Sequence, residues 1–114
     1  MHEASIALGL LEIATKQCEQ KGYKSIESIK VKIGKASGIM PDALLFAFDA
    51  AKIGTIAEKA SLSIEEIPIS GYCKSCKSHF TVEDAYILFC PKCGDGSLEV
   101  ETGRELDICE MEVF

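Results

Sequence analysis

The chain has 114 residues, 47% of them hydrophobic, with 12 Lys and Arg against 18 Asp and Glu and a formal net charge of −6 at pH 7. That length holds one compact core with a small appendage, and the acidic balance argues against a nucleic-acid binder, whose affinity comes mainly from Lys and Arg on phosphates. No apolar run approaches the ~20 residues of a membrane span and the start lacks the pattern of a secretion signal, so the sequence points to the cytoplasm, where the six cysteines are read as metal ligands or reduced thiols and not as disulfides.

From about Ala4 to Gln20 the spacing predicts a helix, with Ala7, Leu10, Leu11, Ala14 and Cys18 on one buried stripe and Glu12, Lys16, Glu19 and Gln20 in water. Gly22 suits the left-handed stop that ends many helices. In "SIKVKIG", Ile29, Val31 and Ile33 alternate with Ser28, Lys30 and Lys32, which predicts a strand with one buried face. "SGIMPD" interrupts; Pro41 fits the first turn of a second helix and keeps Met40 extended. That helix, within "DALLFAFDAAKIG", turns Leu44, Leu45, Phe48 and Ala51 inward and ends near Gly54, while "TIAEKA" carries no clear signal. "LSIEEIPI" alternates at Leu62 and Ile64 and slips phase across Glu65 and Glu66, as a bulge would make it do, with Pro68 marking an edge or a strand end. "ELDICEMEV" closes as another strand.

These elements predict an α+β fold: two helices packed on a three-stranded sheet, with a cysteine-rich segment inserted between the second and third strands. The expected division is residues 1–69 with 104–114 as one domain and residues 70–103 as a zinc ribbon. The two ends of the insertion should lie close together so that the last strand returns to the main sheet.

Within the insertion, "CKSC" and "CPKC" set Cys73, Cys76, Cys90 and Cys93 in a C-x2-C-x13-C-x2-C array. Each short loop aims two sulfurs at one ion, and two loops complete a tetrahedron. Gly94 permits the turn behind the second pair. The spacer "KSHFTVEDAYILF" is expected to form a short hairpin. A redox dithiol pair and a rubredoxin-type iron centre fit the same spacing; zinc is the preferred reading because the pattern is that of a closed structural site. His79 stands three residues after Cys76 and is an alternative ligand, though with four cysteines present it reads better as solvent-facing or behind the ligands. Cys18 and Cys109 sit on apolar patterns and read as buried core thiols.

The first three residues, Met1, His2 and Glu3, are a second candidate metal site. The terminal amine, the backbone nitrogen of His2 and its imidazole can close two chelate rings on one ion, and Glu3 can offer a fourth donor through its backbone nitrogen or carboxylate. Such planar nitrogen-rich coordination favours Ni(II) or Cu(II), and a reducing cytosol favours nickel. The bulk of His2 also protects Met1 from aminopeptidase trimming. Catalytic motifs do not stand out: there is no Gly-rich phosphate loop and no zinc motif with an open position, and Glu65 and Glu66 would point to opposite faces of a strand. The sequence therefore reads as a non-enzyme.

"MHEASIALGLLEIA", "VKIGKASGIMPDALLFAFDAAKIGTIAEKASLSIEEIP" and "YCKSC…CPKCG" together resemble the HypA family, nickel-incorporation proteins of [NiFe]-hydrogenase maturation. The resemblance spans essentially the whole chain. It implies nickel, as transported cargo, on His2 with the terminal amine and neighbouring backbone, structural zinc on the four knuckle cysteines, and two partners, a maturation GTPase and the hydrogenase large subunit; some relatives also serve urease. Family members often carry histidines in or beside the knuckles, whereas this chain offers only His79 nearby. The rival reading is a zinc-ribbon adaptor that binds other proteins and has no nickel role.

Overall fold

The computed structural model describes residues 3–114. Among them run α1 (Glu3–Gln20), β1 (Ile26–Gly34), a 3-10 turn (Lys35–Ser37), α2 (Pro41–Ala51), β2 (Ser61–Ile67), β3 (Ile69–Cys73), β4 (His79–Val82), β5 (Leu98–Thr102) and β6 (Leu106–Val113). The chain divides into two compact units. One takes the described residues up to Val31, then Ile39–Glu65 and Asp107–Phe114; the other takes Lys32–Gly38 and Glu66–Leu106.

In the first unit, α1 buries the stripe its spacing predicts: Ala7, Leu10, Leu11, Ala14 and Cys18. The helix ends at Gly22, whose φ of +79° no β-carbon opposes. There the Tyr23 N–H reaches the Cys18 carbonyl at 2.9 Å and the Gly22 N–H reaches Glu19 at 3.2 Å, the pair of bonds that satisfies the last carbonyls of a Schellman-type end. α2 starts on Pro41 behind an extended Met40 (φ −88°, ψ 115°), as the steric restriction before proline requires. Leu44 and Phe48 are completely enclosed, Leu45 and Ala51 are half-buried, and Phe46 points out with 79% of its surface exposed.

"TIAEKA" is a run of turns that carries Ala57 and Ala60 into the core. Lys52 holds it, donating to the Ala60 carbonyl at 2.8 Å and pairing with Asp49 at 3.1 Å. The Thr55 hydroxyl donates to the Lys52 carbonyl and accepts from the Ala57 N–H, 2.6 and 3.1 Å. No periodicity announces such a segment, because tertiary burial of two alanines and one lysine seat define it.

The first sheet has the order β2-β1-β6. Central β1 buries Ile29, Val31 and Ile33 and turns Lys30 and Lys32 outward. Edge strand β2 is half-buried at Leu62 and Ile64 and then at Ile67, with Glu65 and Glu66 both exposed at the phase slip. On the other edge, β6 is half-buried at Ile108 and then at Met111 and Val113. This slip corrects the expectation for Cys109. It is exposed, and its thiol donates to the Lys30 carbonyl at 3.4 Å; an edge strand whose phase shifts at that residue has no second layer to bury it. Cys18, by contrast, is buried as expected.

The second unit has its own sheet, β4-β3-β5. β3 is central and antiparallel to both neighbours: Tyr72 lies opposite His79 on β4 and Glu99 on β5, and Ser70 lies opposite Thr81 and Thr102. The insertion's first and last strands are therefore side by side, and β6 goes on to the first sheet. The expected hairpin within the spacer does not form. Residues 79–82 pair backward with β3, and 83–89 are irregular, because β3, outside the spacer, offers a longer partner. Ile69, Cys73, Phe80 and Cys90 make up the buried apolar set of this segment. Gly34 joins it at a point where a β-carbon would collide with the Gly103 backbone, and the close approach is tied by Gly34 N–H to Glu105 and Ala36 N–H to Gly103, 2.9 and 2.8 Å.

Candidate metal sites

The two C-x2-C loops are built alike. In the first, Lys77 N–H donates to the Cys73 carbonyl at 2.8 Å and Cys73 N–H to Ser78 at 2.9 Å; in the second, Gly94 N–H donates to Cys90 at 2.8 Å and Cys90 N–H to Asp95 at 2.7 Å. Each turn needs a positive φ just after its second cysteine: +80° at Gly94 and +59° at Lys77. Glycine meets that need without strain; lysine there is strained by the clash of its β-carbon with the backbone. The Asp95 carboxylate accepts the Ser97 N–H at 2.8 Å and closes the second loop, a local turn already legible in "CGDGS".

These turns bring the four sulfurs within 4.8 Å of one another. Cys73 and Cys93 stand 3.6 Å apart and Cys76 and Cys90 3.8 Å apart. A tetrahedral ion with sulfur at about 2.3 Å has edges of about 3.8 Å, so the cluster fits a structural zinc. Its protonation chemistry agrees. The Cys93 and Lys92 N–H groups draw the Cys90 thiol down to about 6 against opposing desolvation; the Lys92 N–H lies 3.4 Å from that sulfur. At Cys93 the Asp95 N–H pulls downward, but desolvation and the neighbouring sulfurs outweigh it and push the thiol up to about 12. Four thiolates this close repel one another, and a divalent cation at their centre is what lets all of them ionise.

His79 is not one of the four-ligand group. It is exposed on β4 and its ring tilts against Tyr72, centroids 5.2 Å apart. The knuckle lysines are likewise exposed, with Lys74 pairing with Glu99 at 3.7 Å. The groups that reach sulfur are backbone N–H groups, which composition does not reveal.

Of the second candidate site, Met1 and His2 lie outside the described residues. Glu3 begins α1, and its carboxylate accepts the Met40 N–H at 3.2 Å. It thereby ties the start of the first helix to the residue before the second, and places an anion at the positive end of α2. Among the described residues no helix is long and apolar enough to cross a membrane.

A family model described as hydrogenase/urease nickel incorporation, metallochaperone, HypA matches residues 1–113. The chain is 38% identical over 112 residues to the hydrogenase maturation factor HypA of Roseiflexus sp. (strain RS-1), which covers 98% of this chain and 91% of that protein. It is 40% identical over 113 residues to the protein of the same name from Geotalea daltonii, with 99% of each covered. The fold is that of the Ni metallochaperone HypA from Helicobacter pylori in its solution structure, with a TM-score of 0.70 at 23% identity, covering 99% of this chain and 97% of that one. On the strength of the whole-length match and these relatives, the chain belongs to the HypA family of hydrogenase and urease nickel-incorporation metallochaperones.

Proposed function

We propose that this protein carries Ni(II) on its N-terminus and delivers it for [NiFe]-hydrogenase maturation in the cytoplasm, while Cys73, Cys76, Cys90 and Cys93 hold a structural zinc. The match of residues 1–113 to a nickel-incorporation family carries this reading. The terminal amine, the His2 backbone nitrogen and imidazole, and Glu3 supply the nickel donors. A site at a chain end exchanges ligands readily, because an acceptor displaces donors one at a time. The task is capture and release of a cation, not catalysis. Charge supports it: the first unit's sequence has eleven acidic residues against six basic ones, the second seven against six, so the attraction for cations concentrates on the first unit. In this reading residues 1–69 with 104–114 act as the nickel domain and 70–103 as the zinc ribbon, a division by function that differs from the compact units at 32–38, 66–69 and 104–106.

The test is calorimetric titration of Ni(II) into the native chain, into His2→Ala and into a chain extended by two residues before Met1. Tight binding should vanish in both variants with zinc content unchanged; an isotherm that survives both changes excludes the terminal site.

The partners in this reading are a maturation GTPase and the hydrogenase large subunit. Glu12 and Lys16 lie exposed on α1, the helix that leads directly from the terminus, and the GTPase contact is placed on that face. Exchanging the two charges (Glu12→Lys with Lys16→Glu) should weaken capture of the GTPase in a pull-down, and undiminished capture moves the contact elsewhere.

A further inference from the structure

The second unit contains a pocket that neither metal site uses. It encloses about 210 Å3 and is lined by Ala36, Ile69, Tyr86, Ile87, Val100 and Arg104 among others. Ile69 is fully buried; Ala36, Ile87 and Val100 are half-buried; Tyr86 and Arg104 are the exposed rim. The volume falls below the ~300–1,000 Å3 usual for cofactors and drug-sized ligands, so its occupant is small.

Arg104 gives the pocket its chemistry. Among the described residues its guanidinium has no hydrogen bond and no ion pair, although Lys30, Lys35, Lys52 and Lys74 each have an acidic partner. Two acids, Glu101 and Glu105, share a neighbouring recess with Arg104; neither pairs with it, and the Glu105 carboxylate accepts the Gly103 N–H at 2.8 Å. Five donors in a planar fork thus stand open at the mouth of a recess that carries the aliphatic side chains of Ile69, Ile87 and Val100, an arrangement suited to a carboxylate next to an aliphatic group. The loop that forms one wall is held by Lys35, which pairs with Glu83 at 2.7 Å. It also exposes Tyr86, Leu88 and Phe89, at 72%, 66% and 63%, and such a concentration of large apolar side chains in water marks a contact surface.

We propose that this pocket docks the free C-terminus of a partner chain that ends in an aliphatic residue. The last side chain enters the cavity against Ile69, Ile87 and Val100, and the α-carboxylate lies on Arg104. Tyr86, Leu88 and Phe89 receive the residues before it. A terminal carboxylate is preferred over an internal Asp or Glu because Arg104 lines the same small space as the apolar residues. The acid must therefore sit on the residue whose side chain fills the cavity. This site does not depend on nickel.

The experiment is a titration of the zinc-loaded, isotopically labelled full chain with N-acetyl-L-leucine, followed by amide shifts. Saturable shifts should gather at Ala36, Ile69, Ile87, Val100 and Arg104. N-acetyl-L-leucinamide, and N-acetyl-L-leucine on Arg104→Gln, should each bind about tenfold or more weaker, as expected for loss of a charged hydrogen-bonded pair. Tyr86→Ala should weaken binding with the Cys73, Cys76, Cys90 and Cys93 amides unmoved. Absence of saturable shifts, equal binding of the amide, or equal binding by Arg104→Gln overturns the proposal. So does tighter binding of the internal analogue N-acetyl-Leu-Glu-amide.

Discussion

Lys77 and Gly94 do the same work with different side chains. Both follow the second cysteine of a knuckle with φ positive, and only one of them does so without strain. Lys77→Gly should stabilise the zinc-loaded ribbon by about 1 kcal/mol, visible as tighter zinc retention against a competing chelator, and Lys77→Val should move it the other way. The cysteines differ just as sharply among themselves. Cys109 is exposed, whereas Cys18 is enclosed and its thiol is raised by burial, with Lys21 opposing. Since the thiolate is the reactive form and must be reachable, the zinc-loaded protein should present one promptly reacting thiol to an aromatic disulfide reagent. Cys109→Ser should remove it, Cys18 should react only under denaturant, and the other four only after chelation. A prompt second equivalent in the folded, loaded protein would contradict this.

At the scale of elements, α2 is read most clearly by its two phenylalanines. Phe48 is completely enclosed and Phe46 is 79% exposed, two positions apart on one helix. Phe48→Ala should cost about 3–5 kcal/mol and Phe46→Ala no more than about 0.5 kcal/mol, measured by denaturant unfolding of the first unit's helical signal. Comparable losses would mean that the helix is rotated from the face described. The strands behave differently from the helices. β2 and β6 are edges on either side of β1, each changes burial phase midway, and a single bulged residue is enough to turn a residue such as Cys109 from one face to the other.

Across the whole molecule, the two units are stabilised by different means. The first has buried side chains from both helices, β1 and the 52–60 turns. In the Glu66–Leu106 segment two of the four buried apolar residues, Cys73 and Cys90, belong to the sulfur cluster, so metal binding is folding energy there. Chelation should therefore collapse the amide dispersion of residues 66–106 while the helical circular-dichroism signal of α1 and α2 persists. Readdition of zinc should restore the ribbon. Joint loss of both signals would make the first unit depend on the metal.

The sequence alone determined the two helices, the central strand, the breaks at Gly22 and Pro68 and the four-sulfur array, because each is encoded within a few residues by periodicity, by backbone restriction or by ligand spacing. The resemblance carried by "MHE" and the knuckles named the family from the same local signals. Only the tertiary structure decided that Lys32–Gly38 belongs with the second unit, that β4 pairs with β3 and not within its own spacer, that Cys109 is outside, and that Arg104 lines a recess with Ile69, Ile87 and Val100. Those outcomes depend on which distant segment supplies a strand partner, a second layer or a counter-charge, and contacts between residues tens of positions apart leave no local pattern to read.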